Sequence, residues 1–228
     1  MTNVDFDRMS VMIDEVNKFD KKQIMEAFYW MTLGDGSIEV PERGDCLLTI
    51  SHSKEHEDYI IWKAAIVNRA LHCSIKPQFI RGGYSTGHEM VRLRTQHHPW
   101  FTKVRDRLYG PLGRKALDNM ALSLLDTLGL AILYQDDGSY HYSSNAGHNV
   151  LIHKLCFSIF ELEAFAKKVV DKWGIIFRIN RTKGKGLGYR LRLRASDKDR
   201  FFDLIKPYVV PSMLYKVEKG STSKEVMI

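Results

Sequence analysis

The stretch FYWMTLGDGSI, Phe28 to Ile38, decides the fold, because LAILYQDDGSY, Leu130 to Tyr140, repeats its plan 102 positions later. Each begins as an apolar, charge-poor helix and runs out into Asp-Gly-Ser: Asp35-Gly36-Ser37 in the first and Asp137-Gly138-Ser139 in the second. An Asp in the last turn of a helix sits at the negative end of the macrodipole, where an anion is mildly unfavourable. Taken singly, Asp-Gly is a turn. The same awkward placement at matching points of two halves suggests a cation held between them. If the two helices pack side by side their carboxylates meet, and like charges that close are costly unless a metal bridges them. Oxygen ligands completed by water and phosphate suit Mg²⁺ or Mn²⁺. Paired metals about 4 Å apart are a device for hydrolysing phosphodiesters. The residues alone therefore lead to metal-dependent cleavage of a nucleic acid.

Around these stretches the chain shows two copies of one order. In the first half, Asp20 with Gln23 makes a capping box for a helix running to about Leu33, with Gly36 as its C′ residue. A strand follows near Asp45–Ser51, then a helix over about Lys54–Ala70. Its apolar face comprises Tyr59, Ile60, Ile66, Val67, Leu71 and the aliphatic stem of Lys63. Two strands, near Ser74–Arg81 and Glu89–Thr95, flank Gly82-Gly83, and a short helix runs from His98-Pro99 to about Leu108. In the second half, Asp126 caps a helix to about Asp136 and Val150–Phe157 reads as a strand. Ser158 with Glu161 boxes a helix that ends at Trp173 with Gly174 as C′. Strands near Ile175–Arg181 and Tyr189–Arg194 flank KGKGLG, and Ser196 caps a last helix that stops at Pro207. The expected division is an extension over 1–19, a first half over 20–108, a linker over 109–125, a second half over 126–216 and a tail over 217–228.

The late strand of each half alternates apolar residues with arginine, as VRLRT (Val91–Thr95) and YRLRLR (Tyr189–Arg194). A period of two sends the leucines to a core and the arginines to the opposite face. Arg178 to Arg194 contains seven basic residues and no acidic one. Either strand alone reads as a solvated sheet face; the repetition favours phosphate and base contacts. The candidate DNA-binding residues are Lys76, Arg81, Arg92 and Arg94 in the first half and Arg178, Arg181, Lys183, Lys185, Arg190, Arg192 and Arg194 in the second.

Composition agrees. The 228 residues are 44% hydrophobic, enough for one large core or two small ones, and a net charge of +7 with a pI near 9.2 favours a polyanionic partner. Cys46, Cys73 and Cys156 show no CxxC spacing, which argues against a disulfide framework or a zinc knuckle. The N-terminal stretch is acidic and amphipathic, unlike a signal peptide, and no apolar run approaches the roughly 18 residues of a membrane span. The expectation is a soluble, intracellular protein, with the host compartment open.

With the motifs in place, the chain resembles the LAGLIDADG homing endonucleases. FYWMTLGDG and LAILYQDDG align with the family's signature segment, the second keeping its opening Leu-Ala and both its closing Asp-Gly. The duplication is similar to the monomeric, two-motif branch. The C-terminal DLIKPYVVPSMLYK (Asp203–Lys216) resembles the ending of a yeast mitochondrial intron endonuclease of this family. The resemblance implies an α+β fold, two αββαββα halves about a pseudo-twofold axis, whose antiparallel sheets form a DNA-binding saddle. It implies Asp35 and Asp137 as metal-binding carboxylates and the carbonyls of Gly34 and Asp136 as backbone ligands. Lys216 matches a basic active-site residue, and Lys115 takes the pseudo-symmetric place. Mg²⁺ is the implied cofactor, with Mn²⁺ substituting and Ca²⁺ supporting binding without cleavage. The partner would be duplex DNA carrying a long asymmetric site, cut by a monomer to leave short 3′ overhangs. The alternative is a cleavage-inactive binder on the same fold: a maturase acting on intron RNA, or a transcription regulator.

Other patterns lead elsewhere. His52-Ser53-Lys54-Glu55-His56 formally fits the H-x-x-E-H zinc pattern, but that chemistry needs both histidines on one helix face. The expected reading is solvated histidines near a helix start. Lys183-Gly184-Lys185-Gly186 lacks P-loop spacing, and Phe28, Tyr29 and Trp30 read as core rather than a base-stacking platform.

Overall fold

The capping box at Asp20 forms as the sequence predicts. Its side chain accepts from Gln23 N at 2.8 Å, the Gln23 side chain returns to Asp20 N, and a helix follows. In the computed structural model, which describes residues 3–79, 89–110, 113–145, 147–182 and 188–218, the chain divides into two compact units. One comprises Met1–Asp106 with Val210–Met213, the other Arg107–Val209 with Leu214–Ile228.

The first unit opens with α1 (Asn3–Asn17) and α2 (Lys21–Leu33), followed by β1 (Ser37–Glu39), β2 (Leu47–Ser53), α3 (Glu57–Asn68), β3 (Cys73–Phe79) and β4 (Glu89–Thr95). The helix α4 (Pro99–Leu108) follows. Its four strands pair antiparallel in the order β1-β2-β4-β3. The second unit holds α5 (Asn119–Leu124), α6 (Thr127–Asp137), β5 (Gly138–Ser143), β6 (Gly147–Leu155), α7 (Ile159–Trp173), β7 (Phe177–Arg181), β8 (Tyr189–Leu193) and α8 (Lys198–Ile205). Its sheet has the corresponding order β5-β6-β8-β7, also antiparallel. The duplicated α+β plan is thus realised strand for strand.

Alternation does what the period of two requires. Val91 and Leu93, like Leu191 and Leu193, are buried, while Arg94 and Arg192 on the opposite parity are exposed. Each leucine sealed this way contributes about 1.5–3 kcal/mol. Trp30, Tyr59 and Trp62 are essentially inaccessible, and the Phe28 and Tyr29 rings pack edge-on against Trp100. The reading of FYW as core is correct.

The structure departs from the sequence reading at several points. The short strand β1 follows Asp35-Gly36 and β5 begins on Gly138 itself; the αββαββα plan implied by the resemblance includes both, but the residue-by-residue reading located neither. The stretch 109–125 contains α5, capped by Asp118 through Ala121 N, and residues before Asp20 form α1. Gly36 is no left-handed C′ residue: among the described residues glycine has positive φ only at Gly44, Gly113, Gly147 and Gly174. Its need is spatial. A Cβ on Gly36 would stand 2.4 Å from Met31 O, and one on Gly138 would stand 2.2 Å from Tyr134 O. Each Asp-Gly pair therefore lets the first strand leave pressed against the last helical turn. Gly174, by contrast, is the left-handed cap expected, at φ 66°. Ser196 does not cap the last helix. It lies in the 3₁₀ turn Ala195–Asp197, and the N-cap of α8 is Asp197, whose carboxylate is occupied elsewhere.

Candidate active site and nucleic-acid interface

Asp35 stands one residue past the Gly34 C-cap of α2 and is exposed, with Gly34 N bonded back to Trp30 O at 3.0 Å and Gly36 N to Met31 O at 2.8 Å. These bonds fix the backbone on both sides of the carboxylate. Its neighbour within the unit is His52, whose Nδ1 lies 3.8 Å from Asp35 Oδ2. His52 was expected to be solvated. Instead it is the last-but-one residue of β2, paired opposite Val91 on the inner face, and is 7% exposed. Its Nε2 meets Lys63 Nζ at 3.1 Å. Lys63, expected to bury only its stem, is enclosed to the tip, with Nζ 4.0 Å from the centre of the Tyr59 ring.

In the second unit, α6 ends at Asp136 and Asp137, both half-buried. Lys216 closes the 3₁₀ turn Pro211–Lys216 and is largely buried. Its Nζ donates to Gln135 O at 2.5 Å and reaches Asp136 O at 3.5 Å. A cation there offsets the negative end of the helix dipole, the very position that makes an Asp unfavourable. Tyr134 OH anchors the lysine backbone by donating to Lys216 O at 2.7 Å, and burial pushes its phenol well above the ordinary range. The Gln135 side chain donates to Tyr208 O at 3.0 Å, tying the preceding turn to the same helix. Lys216 is thus brought to the end of α6, with Asp136 O as one of its acceptors. That carbonyl, matched by resemblance to a backbone metal ligand, lies against the lysine.

Lys115 forms a β-bridge with Tyr109, and its carbonyl accepts from Cys156 Sγ at 3.4 Å. Burial raises the Cys156 thiol, the Lys115 charge draws it back, and Asp137 adds a smaller upward push. One sulfur therefore lies within electrostatic reach of both Lys115 and Asp137. Cys156 was not singled out from sequence, since a lone cysteine carries no spacing signal.

On the outer faces, Lys76, Arg92 and Ser51 stand in one row across three strands, and Ser74, Arg94 and Thr49 in the next. Arg92 Nε donates to Ser51 Oγ at 3.3 Å and Arg94 approaches Glu39 at 3.6 Å. In the second unit Arg178 pairs opposite Arg192 and Asn180 opposite Arg190, all on the outer parity. Arg181 does not share that face: it has the parity of Phe177 and Ile179, at the strand end. Arg194 lies beyond β8, its guanidinium held by both Asp197 oxygens at 2.9 and 2.6 Å. Burial of Asp197 works against its ionisation. The Arg194 contacts and the Ile176 N–H, at 2.9 Å, outweigh that and hold its carboxyl below the usual range. Arg194 thus braces a turn. Arg81, Lys183 and Lys185 lie outside the described residues.

The sequence profile of the LAGLIDADG DNA endonuclease family matches residues 25–201, taking in both Asp-Gly-Ser ends and both sheets. The chain belongs to that family. It is 23% identical over 217 residues to the cytochrome b mRNA maturase bI2 of Debaryomyces hansenii, covering 92% of this chain and 80% of that protein. It is 28% identical over 131 residues to a probable intron-encoded DNA endonuclease 3 of Mycosarcoma maydis, covering 56% of this chain and 92% of the relative. Among solved structures, the homing endonuclease I-WcaI bound to its DNA recognition sequence superposes with a TM-score of 0.71 at 19% identity, covering 91% of this chain and 92% of that one. The likeness to I-WcaI establishes the duplicated LAGLIDADG fold. Among the described residues no helix is long and apolar enough to cross a membrane.

The donor set fits a hard divalent cation. Each LAGLIDADG helix ends in a solvent-reaching carboxylate beside backbone carbonyls, and such oxygens suit Mg²⁺ or Mn²⁺.

Proposed function

We propose that this chain is a site-specific double-strand DNA endonuclease of the homing type, acting as a monomer with Mg²⁺. The observation that carries the reading is the matched pair of helix-terminal carboxylates, Asp35 and Asp137, each set by a glycine packed against its own helix. Divalent ions held there would activate water and stabilise the leaving oxygen. Asp35 and Asp137 supply the carboxylates, with the Gly34 and Asp136 carbonyls as backbone donors. Lys216 holds its charge at the end of α6, where it offsets charge on the scissile phosphate, and Lys115 serves near Asp137. Lys76, Arg92, Arg94, Arg178, Arg190 and Arg192, on the outer sheet faces, contact phosphates and base edges in the major groove. Arg81, Lys183 and Lys185 extend that basic surface. Mn²⁺ substitutes for Mg²⁺, and Ca²⁺ supports binding without cleavage. The functional halves are 20–108 and 126–216, joined by 109–125.

The second reading, an RNA maturase, is favoured by the match to the bI2 maturase along most of this chain. Retention of both carboxylates favours the nuclease. The deciding experiment selects cleaved molecules from a randomised duplex library in Mg²⁺ and sequences the ends. One long asymmetric motif cut with a constant short 3′ stagger is the expected result. No enrichment, together with intron-RNA affinity that survives loss of both aspartates, would establish the maturase instead.

A further inference from the structure

Within the first unit, three side chains stand in line behind the Asp35 site. Asp35 Oδ2 lies 3.8 Å from His52 Nδ1, and the opposite ring nitrogen, Nε2, lies 3.1 Å from Lys63 Nζ. The line is firmly held. β2 fixes the His52 backbone opposite Val91, and α3 carries Tyr59 and Lys63 one turn apart on a single face. The Tyr59 ring packs on the imidazole at 5.0 Å between centroids and lies 4.0 Å from the Lys63 nitrogen. Lys63 is inaccessible to solvent.

A protonated lysine at that distance constrains the ring. An ammonium has three donors and no acceptor, so a ring nitrogen facing it at hydrogen-bond distance must present its lone pair. The ring proton then belongs to the other nitrogen. With Nε2 accepting from Lys63, Nδ1 carries the hydrogen and turns it toward Asp35. The gap of 3.8 Å exceeds a direct hydrogen bond. A metal ligates imidazole through an unprotonated nitrogen. In that tautomer the nitrogen nearest the Asp35 carboxylate has no lone pair to offer.

We propose that Lys63 is a positioning residue that locks His52 as its Nδ1–H tautomer, so that His52 serves the Asp35 site as a hydrogen-bond donor and is barred from ligating the ion. The site then keeps oxygen donors, which favours Mg²⁺ and Mn²⁺; with the lock removed, Nδ1 and the carboxylate form a nitrogen–oxygen pair suited to Zn²⁺ or Co²⁺. This inference rests on the reading of Asp35 as an ion-holding carboxylate. A lysine that merely filled space over Tyr59 would leave the tautomer unspecified.

The primary test uses the full chain without metal. Long-range ¹H–¹⁵N NMR of histidine-labelled protein, with His52 assigned by its loss in His52→Gln, should give the Nδ1–H pattern. An Nε2–H or doubly protonated ring overturns the proposal, and only the conservative His52→Gln variant, used for assignment, need fold for that result to stand. The second arm compares wild type with Lys63→Met by calorimetry. Zn²⁺ affinity should rise by about 10-fold or more, the scale seen when a hydrogen-bond partner behind a metal ligand is altered, and the gain should vanish in the Lys63→Met/His52→Gln double variant. A folded Lys63→Met protein with unchanged Zn²⁺ affinity overturns the lock. Mg²⁺ binding that is unaltered in Asp35→Asn overturns the ion-site reading instead, and leaves the tautomer result to be judged by itself.

Discussion

Replacing Asp58 with alanine should release the segment that leads to Lys216. Asp58 is nearly buried in the first turn of α3 and accepts three hydrogen bonds: from Tyr59 N at 2.8 Å, Ser212 N at 2.9 Å and Ser212 Oγ at 2.5 Å. Ser212 lies 154 residues away in sequence, so this carboxylate stitches Val210–Met213 into the first unit. Each buried donor left without a partner costs about 1–3 kcal/mol. Ser212 is half-buried and recovers some of that from water, so the sum comes to about 3 kcal/mol. For a chain of this length that is a fall in Tm of about 6–12 °C. Exchange of the Ser212 amide should quicken by about two orders of magnitude, at 1.36 kcal/mol per factor of ten. Asp58→Asn keeps one acceptor oxygen and should lose about half as much. The assays are thermal melting and native-state hydrogen exchange resolved at residues 210–213. An Asp58→Ala protein that melts within about 2 °C of wild type, with unchanged exchange at Ser212, would refute the reasoning.

Gly138→Ala places its Cβ 2.2 Å from Tyr134 O, so α6 or β5 must shift; a loss of about 1–3 kcal/mol on urea unfolding is expected, and a neutral substitution would contradict the close-approach reading. The Asp197 carboxyl is held below its ordinary value in the fold, so its contribution is present above the unfolded-state pKa of about 3.9 and is lost as pH falls through the lower folded value. Asp197→Asn should therefore cost stability at neutral pH and remove that acid-dependent portion, which parallel unfolding curves at pH 7 and pH 3 would reveal. Cys156 is the exposed cysteine, Cys46 and Cys73 being buried. Removing the nearby charge in Lys115→Met should raise its thiol further and slow alkylation at a fixed pH near neutrality, whereas Asp137→Asn should speed it. Equal rates in all three proteins would mean the charges do not share that neighbourhood.

Much of the fold was legible because local signals agreed with one another. The capping boxes at Asp20 and Ser158, the stop at Gly174 and the Val-Arg-Leu-Arg alternation each fixed an element to within a residue or two. The residue-by-residue reading missed β1 and β5 because one starts right after Asp35-Gly36 and the other on Gly138 itself, where turn chemistry masks a strand three to six residues long. His52 was misplaced for a related reason. The alternation Leu48, Ile50, His52 continues the inner face of β2, but ending the strand at Ser51 moved the histidine into a helix start. Lys63 looked like a snorkelling residue because its stem fits an apolar face; packing brings the Tyr59 ring and His52 up to its amine, and sequence periodicity does not encode those contacts. Arg194 continued the arginine alternation by one step too many. Asp197, three residues on, draws its guanidinium into a turn, a contact that strand periodicity does not encode.

In the proposed function, Asp35 and Asp137 carry out cleavage while the sheets carry recognition. This division is tested most directly by measuring cleavage and binding together, on the duplex recovered by selection, for wild type, Asp35→Asn and Asp137→Asn in Mg²⁺. Both variants should lose double-strand cleavage, with binding within a few-fold of wild type. Full cleavage retained in either variant would contradict it.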